Sequence, residues 1–369
     1  MIPLCVPEIR GNEWKYVKEC LDTSWVSSVG AFVDRFEEEF AKYQEAEAAV
    51  VTMNGTAALQ LALNTLNIGE GDEVIVSSMT FISPVNAIKY VGATPVFADV
   101  NRDTFVMDAE KVEELITNKT KAIIPVHIYG YPVDMDKINE IAKKHGLYVI
   151  EDATEALGTI YNGKKAGIIG DIGCFSFNGN KLITTGAGGM LVTNNINWGK
   201  RAKYLSNQTK TILDNGGCIH EEIGYNFRMP NLLAAVGVAQ LEMVPEYLNI
   251  KRRNADLYNK LLKDIKGITI VKNDDKNVDN SYWLYSILVE KEFSISRDEL
   301  LDVLRQNGIG ARPFFMPVHE MQPYINCKTG DMKFTKEVSA LGINLPSSVN
   351  LTEQEIKDVC KVIAKISSN

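Results

Sequence analysis

Lys181 is set among residues that could make an amine reactive. The stretch runs Gly173-Cys174-Phe175-Ser176-Phe177-Asn178-Gly179-Asn180-Lys181, then Leu182-Ile183-Thr184-Thr185-Gly186-Ala187-Gly188-Gly189. A lysine that closes a strand-like run and faces a glycine-rich turn is placed where its amine could be desolvated and aimed at a carbonyl, as Schiff-base chemistry requires. Many lysines border turns, so the placement alone does not separate a reactive lysine from a solvated one. Glu151-Asp152-Ala153-Thr154-Glu155 gathers carboxylates at the end of another strand-like run, where they are costly unless exposed, paired or used. An aspartate there could keep a heteroaromatic nitrogen protonated; a solvated loop or a helix cap explains the segment equally well. Asn54-Gly55-Thr56-Ala57-Ala58 passes from strand through turn to helix, so its first-turn N–H groups and helix dipole could cradle a phosphate. Taken alone, that segment is better read as a simple N-cap by Asn54 or Thr56.

The elements around these groups must bring them together. Lys181 follows Asp152 by 29 residues, about one further crossover, which lets both reach one crevice. Apolar runs at 48–53, 72–76, 94–99, 122–126 and 147–152 predict strands, alternating with helices that open at 54 and span 81–90, 108–117 and 134–145. This alternation predicts βαβ units and a mostly parallel sheet covered on both faces, with ligands at the carboxyl ends of its strands. Amphipathic helices are expected at 12–22 and 33–48, with Phe32, Phe36 and Phe40 at helical spacing. Near 245 a long polar helix, 248–264, leads into an alternating segment at 281–289, helix 297–306 and a last helix at 352–366. The expected organisation is a large α/β domain, 1–245, followed by a smaller α+β domain, 246–369. A phosphate at a helix start, a ring nitrogen on a carboxylate and an aldehyde on a lysine together describe pyridoxal 5′-phosphate.

Composition agrees with an ordinary globular chain: 369 residues, 45% hydrophobic, 23% charged, net charge −8. That charge argues against a general nucleic-acid or anionic-membrane binder. Apolar runs are too short for a membrane span, and the N-terminus lacks a signal peptide's basic start and apolar block. Cysteines at 5, 20, 174, 218, 327 and 360 and histidines at 127, 145, 220 and 319 are dispersed, which suits reduced thiols in the cytoplasm and no metal site.

The chain resembles the DegT/DnrJ/EryC1/StrS family of fold-type I nucleotide-sugar aminotransferases, which share the aspartate aminotransferase-like fold. The resemblance rests on Asn54-Gly55-Thr56-Ala57-Ala58-Leu59, Thr80-Phe81, Pro125-Val126-His127-Ile128-Tyr129-Gly130, Glu151-Asp152-Ala153, Gly170-Asp171 through Lys181, Thr185 to Gly189, Gly224 to Met229 and Arg312-Pro313. It implies that Lys181 is the catalytic Schiff-base lysine and that Asp152 contacts the pyridine nitrogen. It further implies that Thr56, Ala57 and Ser176 bind the phosphate, that Phe81 stacks on the ring, and that Asn226 reaches the phosphate across a homodimer with shared active sites. Glu155 stands beside the cofactor where the family commonly has Gln, and Asn178 where it commonly has His. Those two departures, with the segment from Gly11 to Gly30, resemble the LegC branch and its bacillosamine-pathway relatives. That branch moves an amine from glutamate to C4 of a nucleotide-linked 4-keto-6-deoxy-N-acetylhexosamine. A GDP-perosamine-type 4-aminotransferase is the alternative. Trp25, Asn178, Tyr225, Arg228, Arg312 and His319 are the candidate substrate residues; packing or a structural ion pair competes at Trp25, Tyr225 and Arg228. His127 reads as a core histidine in preference to a cofactor contact.

Three other classes compete. A related dehydratase would carry His in place of Lys181. A nicotinamide-dependent oxidoreductase would need G-x-G-x-x-G after the first strand, and none is there. A non-enzymatic regulator on the same fold would have no use for all three cofactor groups.

Overall fold

The computed structural model describes residues 1–271 and 276–367. Its centre is a seven-stranded sheet: β1 (Ala48–Thr52), β2 (Glu73–Ser77), β3 (Thr94–Ala98), β4 (Thr120–Ile124), β5 (Tyr148–Asp152), β6 (Ile172–Ser176) and β7 (Gly189–Thr193), in the order β1-β7-β6-β5-β4-β2-β3. Runs such as Val74-Ile75-Val76 and Ala122-Ile123-Ile124 are fully buried, as strands covered on both faces must be. Neighbouring strands from β3 to β6 are parallel, whereas β7 runs antiparallel to both β1 and β6. The sheet is therefore mixed but mostly parallel, as the alternation of apolar runs and helices predicts.

Helices α1 (Glu13–Asp22), α2 (Ala31–Gln44), α3 (Gly55–Thr65), α4 (Ser83–Tyr90), α5 (Met135–His145), α6 (Ile196–Ser206), α7 (Asn231–Glu242) and α8 (Val244–Leu262) surround this sheet or lead away from it. One contact of α2 matters directly for the site. Phe36 and Phe40, one helical turn apart, pack on Phe177 at 5.2 and 5.5 Å between ring centres, and Phe40 packs on Phe175 at 5.1 Å. Phe175 and Phe177 flank Ser176, so an apolar helix stripe fixes the strand end from which the Lys181 turn departs. Each such buried ring contributes about 2–3 kcal/mol.

A second, four-stranded sheet contains β8 (Ile268–Ile270), β9 (Tyr285–Val289), β10 (Arg312–Pro313) and β11 (Gly342–Leu345), in the antiparallel order β8-β9-β11-β10. It is accompanied by α9 (Arg297–Gln306), α10 (Lys333–Leu341) and α11 (Glu353–Ser367). A capping box between Ser296 and Glu299 starts α9. The chain's first residues join this unit: Ile2 bridges Ile309, and Ser347 N–H donates to the Leu4 carbonyl at 2.7 Å.

Four local expectations change. The helix expected at 108–117 is two short 3-10 turns, Ala109–Lys111 and Glu113–Leu115. Thr120 Oγ1 takes the Thr117 N–H at 2.9 Å and Glu73 takes the Thr117 hydroxyl at 2.6 Å, which stops the turn. The helix expected to reach 48 ends at Gln44, with Glu45 left-handed at φ 62°. Residues 281–284 are not strand; Tyr282 is left-handed at φ 48° and β9 begins only at Tyr285. Helices α6 and α7 have no counterpart among the expected elements. In α7 the apolar residues run around the whole helix, so a one-sided stripe does not reveal it.

Helix α8 buries Lys251, which is 4% exposed. Its amine donates to the Trp283 carbonyl at 2.7 Å and to the Ser347 carbonyl. Burial without a carboxylate partner lowers its pKa from 10.5 to about 8. Between those values the unfolded chain holds a proton that the folded chain lacks, so the Lys251 contribution to stability rises with pH across that window. Urea unfolding from pH 7.5 to 10.5 will therefore show wild type gaining about 2–3 kcal/mol relative to Lys251→Met. A constant difference between the two proteins would contradict this assignment.

Candidate active site

The carboxyl ends of five strands converge on one cavity of about 300 Å³. Asn54, Gly55 and Thr56 come from the turn after β1, Thr80 and Phe81 from the turn after β2, and Val126 from the turn after β4. Asp152 ends β5, with Thr154 and Glu155 just beyond it, while Ser176 ends β6, with Asn178, Asn180 and Lys181 on the turn that follows. Trp283, Arg312 and Phe315 close it from the second sheet's side.

The phosphate end is built at the start of α3. Asn54 caps the helix, its Oδ1 accepting the Ala57 N–H at 2.8 Å. The cap and the cradle thus coexist at different residues. Ala57, its N–H bonded to Asn54, is outside the cavity lining; Gly55 and Thr56 are the first-turn residues that line the cavity. Thr56 Oγ1 donates to Ser83 Oγ at 2.9 Å. A Cβ on Gly55 would stand 2.9 Å from the Ser176 Cβ, so glycine is what lets the helix start approach the β6 end.

Charge is concentrated at the other end. The Asp152 carboxylate is buried and accepts the Thr154 N–H at 3.1 Å. Burial raises its pKa, opposed by the Thr154 hydrogen bonds and the charge of Lys181. Glu155 accepts the Tyr129 N–H at 2.8 Å and faces Lys181 Nζ at 3.4 Å; burial raises its pKa against the pull of that lysine. Lys181 does not end a strand, because β6 stops at Ser176. It sits on the turn beyond, its side chain 13% exposed, with Nζ 3.8 Å from the centre of the Trp283 ring. Its neighbour Asn178 lines the cavity and donates to Asn180 Oδ1 at 3.4 Å.

The other expected residues divide. Phe81 is 56% exposed at the cavity wall, 5.9 Å from Phe315. Arg312 is exposed and lines the same cavity. His319 does not: it is 8% exposed and held under the end of β2, its Nδ1 2.7 Å from Ser78 Oγ. The His319 backbone N–H also donates to that oxygen, and burial lowers the ring's pKa. Asn226 is exposed and outside this chain's cavity, bridged to Asn207. Tyr225 stacks on Phe227 at 4.8 Å, and Trp25, 55% exposed, offers its carbonyl to Asn231 at 2.8 Å. Arg228 lines a separate cavity with Ser28, Gly30 and Lys203. His127 is a core group: its Nδ1 accepts the Val133 N–H, so Nε2 carries the proton and donates to Glu151 at 2.9 Å. Glu151 also takes the N–H groups of Gly167, Ile169 and Gly170.

Sequence reasoning missed Trp283 and Phe315. Both lie more than 100 residues from Lys181 in the chain, and no spacing rule connects them to it. The donor set fits pyridoxal phosphate. Hydroxyls of Thr56 and Ser176 stand at a helix start, a buried carboxylate lacks a full counter-charge, and an amine reaches the same space.

Comparison with known proteins agrees with that fit. The family model described as "DegT/DnrJ/EryC1/StrS aminotransferase family" matches residues 7–364. The chain is 44% identical over 368 residues to a GDP-perosamine synthase of Escherichia coli O157:H7, covering 100% of this chain and 99% of that one. It is 42% identical over 366 residues to a GDP-perosamine synthase of Vibrio cholerae, covering 98% of each. Among solved structures, the PLP form of Spr1654 from Streptococcus pneumoniae, described as a sugar aminotransferase, superposes with a TM-score of 0.93 at 27% identity, covering 100% of this chain and 98% of that one.

Two buried carboxylates against one amine give a stability prediction. The cost of their charged forms is absent while both are protonated, sets in as pH rises past the ordinary carboxylate range, and is complete above the raised folded values. Asp152→Asn will therefore stabilise the cofactor-free protein by about 1–3 kcal/mol at pH 7.5 and by less at pH 4.5. Urea unfolding checks this, and a destabilised variant at pH 7.5 would contradict it.

Proposed function

The chain belongs to the DegT/DnrJ/EryC1/StrS aminotransferase family and works with pyridoxal phosphate; within that family, we propose that it makes a perosamine-type sugar. In this reading an amino group moves from glutamate to C4 of a GDP-linked 4-keto-6-deoxyhexose. The observation that carries it is near-full-length similarity to relatives named for that product. We accordingly set the legionaminic or bacillosamine branch, read from Glu155, Asn178 and the Gly11–Gly30 segment, behind it.

The residues take the following parts. The bound cofactor supplies an electron-poor ring that eases loss of a proton from the carbon bearing the amine. Thr56, Ser176 and the α3 start hold the phosphate, so the cofactor enters in one orientation. Asp152, poorly compensated in its buried place, keeps the ring nitrogen protonated. Phe81 covers the ring face. Lys181 is the amine that would hold the cofactor's aldehyde and, once free, would take up and return the proton at the reacting carbon; neutral lysine is required for the uptake. Glu155, 3.4 Å from that amine, holds it between those roles. Arg312, exposed at the cavity wall, is suited to a donor carboxylate or a nucleotide phosphate. The burial of His319 leaves it out of this set.

We also propose a homodimer in which Asn226 serves the partner's site. Its exposure away from its own cavity supports this, as do exposed Ile212, Ile219 and Ile223 nearby in the chain. The cysteines described are all free, which suits a reducing cytoplasm, and among the described residues no helix is long and apolar enough to cross a membrane.

Amine transfer from glutamate, followed by NMR at C4, tests the substrate. GDP-linked 4-keto-6-deoxymannose is expected to turn over well ahead of UDP-linked 4-keto-6-deoxy-N-acetylglucosamine, and the reverse preference would overturn the perosamine reading. Borohydride should fix the cofactor to the peptide carrying Lys181, and Lys181→Ala should lower kcat by about 1,000-fold or more; full activity in that variant would sink the assignment. Mixed dimers of Lys181→Ala and Asn226→Ala should regain activity, because one of their two sites then has both native residues. No gain on mixing would rule out a shared site.

A further inference from the structure

Trp283 touches the Lys181 turn twice. Its indole N–H donates to the Asn180 carbonyl at 2.6 Å, and its ring face lies 3.8 Å from Lys181 Nζ. The first contact fixes the backbone just before the lysine; the second attracts the ammonium itself. Trp283 is 3% exposed, so its ring is largely shielded from bulk water. The indole is held in turn. Lys251 donates to the Trp283 carbonyl at 2.7 Å, and Tyr129 stacks on the ring at 6.3 Å between centres.

The backbone accepts strain to put the ring there. Tyr129 at φ 56° and Tyr282 at φ 48° are both left-handed, a conformation costing non-glycine residues about 1 kcal/mol or more. A Cβ on Gly130 would stand 2.9 Å from the Tyr282 nitrogen and 3.0 Å from the Trp283 nitrogen, so only glycine permits this approach. Both left-handed residues bear on the groups around the lysine: Tyr129 offers its N–H to Glu155, and Tyr282 immediately precedes Trp283.

We infer that Trp283 is a positioning residue for the catalytic lysine, holding the Lys181 turn through its N–H and the free amine through its ring face. This rests on the proposed role of Lys181 and adds to it. Whenever the amine is not bonded to the cofactor, it is otherwise free to swing on four methylenes. The ring and Glu155 confine it to one part of the cavity, with Glu155 able to receive its proton when neutral amine is needed. The amine therefore starts each attack, and each proton transfer, from a fixed place.

Covalent capture tests this. Cofactor-free protein is mixed with pyridoxal phosphate, quenched with borohydride at intervals, and the Lys181 peptide is followed by mass spectrometry. Trp283→Leu should slow capture by about tenfold, and Trp283→Phe, which keeps a ring but loses the N–H, by an intermediate factor. In a Lys181→Ala background, Trp283→Leu should leave non-covalent cofactor affinity within about twofold, because the residue acts on the lysine. With α-deuterated glutamate, Trp283→Leu should show a larger isotope effect on kcat than wild type. Wild-type capture by the variants, or an affinity loss in the Lys181→Ala background equal to the slowing, would overturn the inference. If Trp283→Leu does not fold, capture by Trp283→Phe at the wild-type rate overturns it alone. Capture on a residue other than Lys181 would instead remove the function proposed above.

Discussion

An excess of buried negative charge is the constraint around which this site is organised. Asp152 and Glu155 are both buried, and among the described residues Lys181 is the one amine lining their cavity. Burial drives both carboxyls toward protonation. A ligand that brings a cation to Asp152 relieves that imbalance, and a protonated ring nitrogen is such a cation. In the proposed reading, cofactor binding and charge neutralisation are one event, because a cation at Asp152 would remove the cost of burying its charge.

Holding such charges in place falls to apolar packing elsewhere. The helix stripe Phe36–Phe40 clamps Phe175 and Phe177, and so fixes the strand end between them. The Glu151 carboxylate, one residue before Asp152, gathers three backbone N–H groups and the His127 ring, which fixes the end of β5 from behind. From the second sheet's side, the buried amine of Lys251 steadies Trp283. Lys181 is therefore restrained from both sheets, by the β6 end on one side and by Trp283 on the other.

Much of this was legible in the sequence because its causes are local. Apolar runs alternating with helical stripes identify the parallel strands, and the turns after them hold Asn54, Asp152 and Lys181. Where the causes are not local, the sequence misleads. His319 is polar and near Arg312 in the chain, yet its bond to Ser78 holds it beneath β2. Trp283 lies in an alternating aromatic run that imitates a strand; its contact with Asn180 spans 103 residues and depends on left-handed backbone at Tyr282.

The central claim is that Asp152 supplies the counter-charge for a protonated ring nitrogen. It is tested most directly by ¹⁵N NMR of the protein loaded with pyridoxal phosphate labelled at that nitrogen. At pH 8 the wild-type resonance should lie at the protonated position, and in Asp152→Asn it should move to the unprotonated one. An unprotonated ring in wild type, or a protonated ring that survives the substitution, would contradict this account.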